Sequence, residues 1–88
     1  MRAAVEISMY PLSDPYRPLI RAFIDRLNAH ADIVVKTNSM STQIWGELSP
    51  VMQILSDEMA RSADAGAQLV FVMKVLPGLE VPVDVPAG

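Results

Sequence analysis

The chain has 88 residues, of which 51% are hydrophobic and 19% charged, with a formal net charge of −3 and no cysteine. This length fits one small domain, and the lack of cysteine excludes disulfides and zinc sites with sulfur ligands. The acidic chain has no cluster of lysine and arginine that could follow a phosphate backbone, so we expect no nucleic-acid partner.

The first predicted element is a β-strand from Ala3 to Tyr10, where apolar residues alternate with a mixed set. Alternate side chains of a strand point to opposite faces. One face would carry Val5, Ile7 and Met9, and the other Glu6, Ser8 and Tyr10. Glu6 and Ser8 also interrupt the apolar run, which argues against a signal peptide and a membrane span. We expect a cytoplasmic protein without membrane insertion.

A helix is predicted from about Pro15 to His30, because apolar residues recur there with helical spacing. Asp14 is a candidate N-cap, with Pro15 at the first helical position. His30 is the only histidine and lies at the predicted end of this helix, where a cation is favourable. We therefore expect a helix-end role for His30 rather than general-base catalysis.

Two strands follow, from Ile33 to Thr37 and from Ser41 to Glu47, and the short link between them predicts an antiparallel hairpin. Six of the seven residues from 37 to 43 have hydrogen-bonding side chains, which is more than a turn requires. These six are Thr37, Asn38, Ser39, Ser41, Thr42 and Gln43. A ligand site would explain the surplus, and turn chemistry alone is the other explanation.

A second helix is predicted from a Ser49 cap and Pro50 to about Ala65. Its carboxylates are expected in solvent; they are Asp57, Glu58 and Asp64. Residues 68–75, QLVFVMKV, form a nearly continuous apolar run, which predicts a strand covered on both faces. The rest of the chain is rich in proline and glycine. We predict one domain over residues 1–76 and an extended tail over residues 77–88.

The element order β-α-β-β-α-β predicts a ferredoxin-like α+β fold, in which a four-stranded sheet of antiparallel type carries both helices on one face. The first and third strands would be central. The other sheet face would carry hydroxyl, amide, carboxylate and aromatic side chains, a set that suits a flat heteroaromatic ring. Its members are Glu6, Ser8, Tyr10, Ser41, Gln43 and Trp45.

Two further expectations follow from composition. A chain this short buries only about 60–65% of its unfolded surface, so its apolar content exceeds what one core can hide. We read the excess as a homo-oligomer interface, and a large ligand site is the other use for it. The chain has no glycine-rich phosphate loop and no metal-ligand spacing. We therefore predict no catalytic residue, no bound metal and no cofactor.

Three stretches, VEISMYPL, YRPLIRAFIDRL and VKTNSMSTQIWGE, resemble the YkoF-like proteins, and the likeness covers most of residues 3 to 75. The family pattern joins a strand of the type E-I-S-hydrophobic-Y-P to a T-N-x-M-S-T segment before a glycine. The residues that match it are Glu6, Ile7, Ser8, Met9, Tyr10, Pro11, Thr37, Asn38, Met40, Ser41, Thr42 and Gly46. The resemblance implies a ferredoxin-like, non-catalytic protein that binds thiamine or its hydroxymethylpyrimidine moiety for uptake or salvage.

The better-known members carry two such domains in one chain, so the resemblance also implies a dimer or tetramer formed through the open sheet face. It places the ligand among motif residues and their neighbours. The expected ligand-binding residues are Glu6, Ser8, Tyr10, Thr37, Asn38, Ser41, Thr42 and Trp45. One alternative is an oligomeric regulatory or interaction module with no small-molecule ligand, and another is a small enzyme.

Overall fold

A computed structural model describes residues 1–12, 17–38, 41–64, 66 and 68–78. The elements have the predicted order: β1 (Arg2–Pro11), α1 (Arg17–Asn28), β2 (Val34–Thr37), β3 (Thr42–Glu47), α2 (Leu48–Asp64) and β4 (Leu69–Pro77). All neighbouring strands are antiparallel in the order β2-β3-β1-β4, so β1 and β3 are central as predicted. This is the ferredoxin-like α+β fold. The predicted cap at residues 14 and 15 lies outside the described residues, as does the predicted tail from residue 79 onward.

β1 defines the two faces of the sheet, because it pairs with β3 on one side and β4 on the other. Val5 lies opposite Ile44 of β3 and Val75 of β4, and all three face the helices. The alternation predicted for β3 is therefore confirmed, with its odd-numbered residues on the open face. The buried core is built from Val5, Ile7, Phe23, Leu27, Ile33, Val35, Ile44, Val51, Ile54 and Leu55.

β3 passes into α2 without a loop, and this differs from the predicted start of the helix. α2 begins at Leu48, whose N–H donates a hydrogen bond to the Met1 carbonyl at 2.8 Å. Ser49 and Pro50 are therefore the second and third helical residues rather than the cap and first residue. The proline is tolerated because N–H groups in the first turn have no intrahelical acceptor.

Gly46 allows α2 to pack closely on the end of β3. A Cβ atom at this position would lie 2.8 Å from Val51 Cγ2 and 3.1 Å from Ile33 Cγ2. Both distances are shorter than ordinary van der Waals contacts, so a larger residue would require the side chains of Val51 and Ile33 to shift. The glycine of the hairpin motif thus has a packing role.

β4 is an edge strand with one covered face in the single chain, so the prediction of cover on both faces is wrong for the isolated chain. Its helix-facing residues pack against the core; they are Phe71, Met73 and Val75. The alternate residues Val70, Val72 and Leu76 are 42%, 53% and 58% exposed on the open face. These exposed apolar residues make the sequence of β4 almost continuously apolar, as in a strand that is covered on both faces, and this explains the wrong prediction.

α2 buries the Glu58 carboxylate, which was predicted from the sequence to lie in solvent. Glu58 is 1% exposed, because the buried face of the helix includes positions 51, 54, 55, 58 and 62. Its carboxylate accepts a hydrogen bond from Arg26 Nε at 2.8 Å and lies 2.9 Å from His30 Nε2. Arg26 also donates to Ser62 Oγ at 2.6 Å. These contacts join the C-terminal end of α1 to α2, and they give His30 a structural role at the helix end.

Burial raises the pKa of the Glu58 carboxyl, but hydrogen bonds from His30 and Arg26 and the charges of Arg61 and Arg26 outweigh it. The net result is a pKa below the ordinary 4.5. A carboxyl with a lowered folded-state pKa stabilises the fold above the unfolded-state pKa, and this contribution is lost as the pH falls through the folded-state value. We call Glu58 and its partners Arg26, His30, Arg61 and Ser62 the Glu58 cluster. Its contribution should make the stability of the fold fall at acidic pH.

Replacing Glu58 with Gln should lower the free energy of unfolding at pH 7 by roughly 3 kcal/mol. This is the lower end of the range of destabilisation expected when one partner of a buried ion pair is removed. The lower end applies because Arg26 is 29% exposed and keeps some solvation. Urea unfolding followed by circular dichroism at pH 7 and pH 3 measures this. The variant should also lose less stability on acidification than the parent protein. The matched control is Asp57→Asn, an exposed neighbour on α2; equal losses for both variants would contradict the assignment.

Candidate functional site

The two central strands differ in length, and this opens a notch in the sheet. Pairing of β1 with β3 ends at Ile7 and Thr42, whereas β1 continues along β4 to Pro11. The β2–β3 hairpin closes at the same level. There Asn38 N–H donates to the Ser41 carbonyl at 3.0 Å, and Ser41 N–H donates to Asn38 Oδ1 at 2.9 Å. Polar hairpin residues are thus held beside the extended part of β1.

A cavity of about 210 Å³ lies at this notch, and we call it the notch cavity. Its polar lining comes from β1 and the hairpin, and consists of Ser8, Tyr10, Thr37, Asn38, Ser41 and Thr42. Its apolar lining comes from β1 and α1, and consists of Ile7, Met9, Ile20, Phe23 and Ile24. A space with one apolar wall and a few convergent polar groups has the character of a small-molecule site.

Two threonine hydroxyls face each other at the strand ends. Thr37 Oγ1 and Thr42 Oγ1 are 3.4 Å apart, and Thr42 is buried. A hydroxyl has one donor and two acceptor positions. Whichever threonine donates to the other, the second keeps its own O–H for another acceptor. The pair can therefore both donate to and accept from a polar group in the notch cavity.

The eight expected ligand-binding residues divide between two places. Six line the notch cavity, and Glu6 and Trp45 line a second space on the open sheet face. Thr42 lies opposite Ile7 in the register, so it points towards the helices. The part of the notch cavity lined by Thr37, Thr42 and α1 therefore lies on the helix side of the sheet. Ser8 and Tyr10 pair with Val72 and Val70, so they share the open-face parity and border the cavity from the end of β1. The sequence predicted a site on the open face only. The apolar wall from α1 was not among the expected site residues; its signal was the helical stripe containing Ile20, Phe23 and Ile24.

The space on the open face has a volume of about 330 Å³, and we call it the open-face cavity. Trp45 lines it and is 6% exposed, and its indole N–H has no hydrogen-bond partner in the described part of the chain. Lys74 Nζ lies 3.8 Å from Glu6 Oε1 at the same face. A buried N–H without an acceptor is costly. Among the described residues, none accepts a hydrogen bond from the Trp45 N–H, and a molecule bound on this face could supply the acceptor.

In the part of the chain that the structure describes, no group of three or more histidine, cysteine, aspartate or glutamate side chains lies close enough together to hold a metal ion. Of the helices that the structure describes, none has the length and apolar character required to cross a membrane.

No protein-family model and no curated protein matches the chain. Solved structures do match. A Streptococcus pneumoniae protein is 21% identical with a TM-score of 0.80, over 96% of this chain and 94% of that one. A Thermotoga maritima protein, provisionally assigned to thiamine biosynthesis or salvage, is 18% identical with a TM-score of 0.74, over 85% and 82%. A Bacillus cereus domain of unknown function is 18% identical with a TM-score of 0.67, over 96% and 85%. At these identities the similarity demonstrates the fold.

Proposed function

We propose that the protein binds the hydroxymethylpyrimidine moiety of thiamine, free or as part of the vitamin, and serves its uptake or salvage in the cytoplasm without catalysing a reaction. The observation that carries the proposal is the notch cavity, in which polar residues of the hairpin and of β1 line a space that has one apolar wall. The resemblance to YkoF-like proteins and the provisional assignment of the Thermotoga maritima neighbour point to the same class of ligand.

The size of the notch cavity favours a single ring. At about 210 Å³ it is smaller than the roughly 300–1,000 Å³ of sites for drug-sized ligands. A pyrimidine has two apolar faces and a polar edge of ring nitrogens and an exocyclic amine. Phe23 is 2% exposed and packs against Phe71 with ring centroids 5.2 Å apart, so it supports the apolar wall from behind. The half-buried side chains of Ile20 and Ile24 provide the accessible apolar surface. Thr37 and Thr42 offer donors and acceptors to the polar edge.

The chemistry of the lining supports binding without turnover. Among the described residues that line the notch cavity, the Tyr10 phenol is the only titratable side chain. General acid–base catalysis near neutral pH usually needs a histidine, or a carboxylate or amine with a shifted pKa, within hydrogen-bond reach. His30 is held by Glu58 at 2.9 Å and is not part of this lining.

Titration calorimetry with hydroxymethylpyrimidine should detect saturable binding, and Thr42→Val should weaken it by about 3- to 10-fold. That range corresponds to the loss of one hydrogen bond, about 0.5–1.5 kcal/mol. Ser41→Ala should act in the same direction. Ser56→Ala, on the exposed side of α2, is the control and should bind as the parent does. No heat of binding at millimolar ligand would overturn the proposal, as would equal weakening by Ser56→Ala.

A second candidate function is an oligomeric interaction module, and the open face favours it. Val70, Val72 and Leu76 expose an apolar stripe on the open face, and the N–H of Trp45 lacks an acceptor within the described chain. A second copy of the chain, placed face to face, would cover the stripe and could provide that acceptor. We propose that the protein assembles through this face, as a dimer or tetramer. Such an assembly is compatible with ligand binding, because Thr37, Thr42 and the α1 wall of the notch cavity lie on the helix side.

Leu76→Glu should dissociate the assembly, because it places a charge in a face that is buried between copies. Sedimentation equilibrium gives the mass directly. The matched control is Ala60→Glu, which adds the same charge on the exposed side of α2 and should leave the mass unchanged. A monomeric parent protein would contradict assembly through this face. If Leu76→Glu is monomeric and still binds hydroxymethylpyrimidine, the oligomer and the ligand site are separate functions.

A further inference from the structure

A groove of about 510 Å³ runs along α1 beside the notch cavity, and we call it the α1 groove. Three residues line both spaces: Ile20, Ile24 and Thr37. The two spaces are therefore contiguous. A ring in the notch cavity can direct a substituent past these residues into the groove, which has room for a group that the cavity is too small to hold.

The α1 groove is positively charged. Arg17 and Arg21 line it one helical turn apart, and Asp25 is the only carboxylate in its described lining. Side chains four residues apart lie on the same face of a helix. The chain as a whole carries a net charge of −3, so this local excess of positive charge opposes the overall balance. Arginine guanidinium groups bind phosphate through two parallel hydrogen bonds, which makes them suited to a phosphate ester.

We propose that the α1 groove binds an anionic substituent of the ligand, namely a phosphate ester on the hydroxymethyl group of the pyrimidine. This inference rests on the proposed function and names the form of ligand that the site prefers. The phosphorylated pyrimidine then binds more tightly than the alcohol. Thiamine binds less tightly than the phosphorylated pyrimidine, because its thiazolium cation would lie beside Arg17 and Arg21.

The expected preference is moderate and depends on salt. Arg17 and Arg21 are exposed, so water and ions screen their charges. We expect the phosphate ester to bind about tenfold more tightly than the alcohol at low ionic strength. The ratio should shrink as salt is added, whereas binding of the uncharged pyrimidine should change little.

Titration calorimetry with hydroxymethylpyrimidine, its phosphate ester and inorganic phosphate tests the inference on the full chain. Arg21→Gln and Arg17→Gln should each reduce the tenfold preference and leave the affinity for the uncharged pyrimidine unchanged. Arg2→Gln is the control, because it removes the same charge at the opposite end of β1 and should keep the preference.

Equal affinity for the ester and the alcohol would overturn this inference and leave the proposed function standing. The same loss of preference in Arg2→Gln would also overturn it, because the effect would then be one of net charge. Inorganic phosphate binding as tightly as the ester would show an anion site unrelated to the ring, which contradicts the inference. Binding of none of the three ligands would overturn the proposed function together with this inference.

Discussion

The pairing of β1 with its two neighbours is the constraint on which the rest of the structure depends. β1 is fully paired with β4, but its pairing with β3 stops at Ile7 and Thr42. A period of two along β1 then assigns every side chain to a face, so one slip in register would exchange the core residues for the open-face residues. Because β3 begins only at Thr42, a gap remains beside β1 at this end of the sheet. The gap is the notch cavity, and side chains of α1 form its apolar wall.

α1 connects the stability of the fold to the geometry of the candidate site. Its buried side includes Phe23 and Leu27, its C-terminal end is joined to α2 through Arg26 and Glu58, and Arg17 and Arg21 line its groove side. A buried carboxylate with several partners fixes one arrangement of two helices, since any shift leaves a charge without compensation. The Glu58 contacts therefore tie α1, which carries the apolar wall of the notch cavity, to α2.

The features of the fold and site that depend on local sequence pattern were predictable. Alternation identified β1 and its two faces, and the surplus of polar residues between Thr37 and Gln43 pointed to the hairpin end where the notch cavity lies. The partners of Glu58 could not be predicted, because Arg26 and His30 are about 30 residues away in sequence and meet it only in the folded chain. The direct passage from β3 into α2 was missed for a similar reason, since the first helical N–H, that of Leu48, donates its hydrogen bond to the distant Met1 carbonyl. The division of the expected site residues between two spaces depended on where β3 begins, and a strand boundary is the least predictable feature of a sequence.

The most direct test of the central claim is a crystal structure of the protein grown with hydroxymethylpyrimidine. We expect the ring in the notch cavity, with Ile20 or Ile24 beside one face and its polar edge within hydrogen-bond distance of Thr37 or Thr42. A ring bound instead on the open face beside Trp45, or an empty notch cavity at saturating ligand, would contradict it.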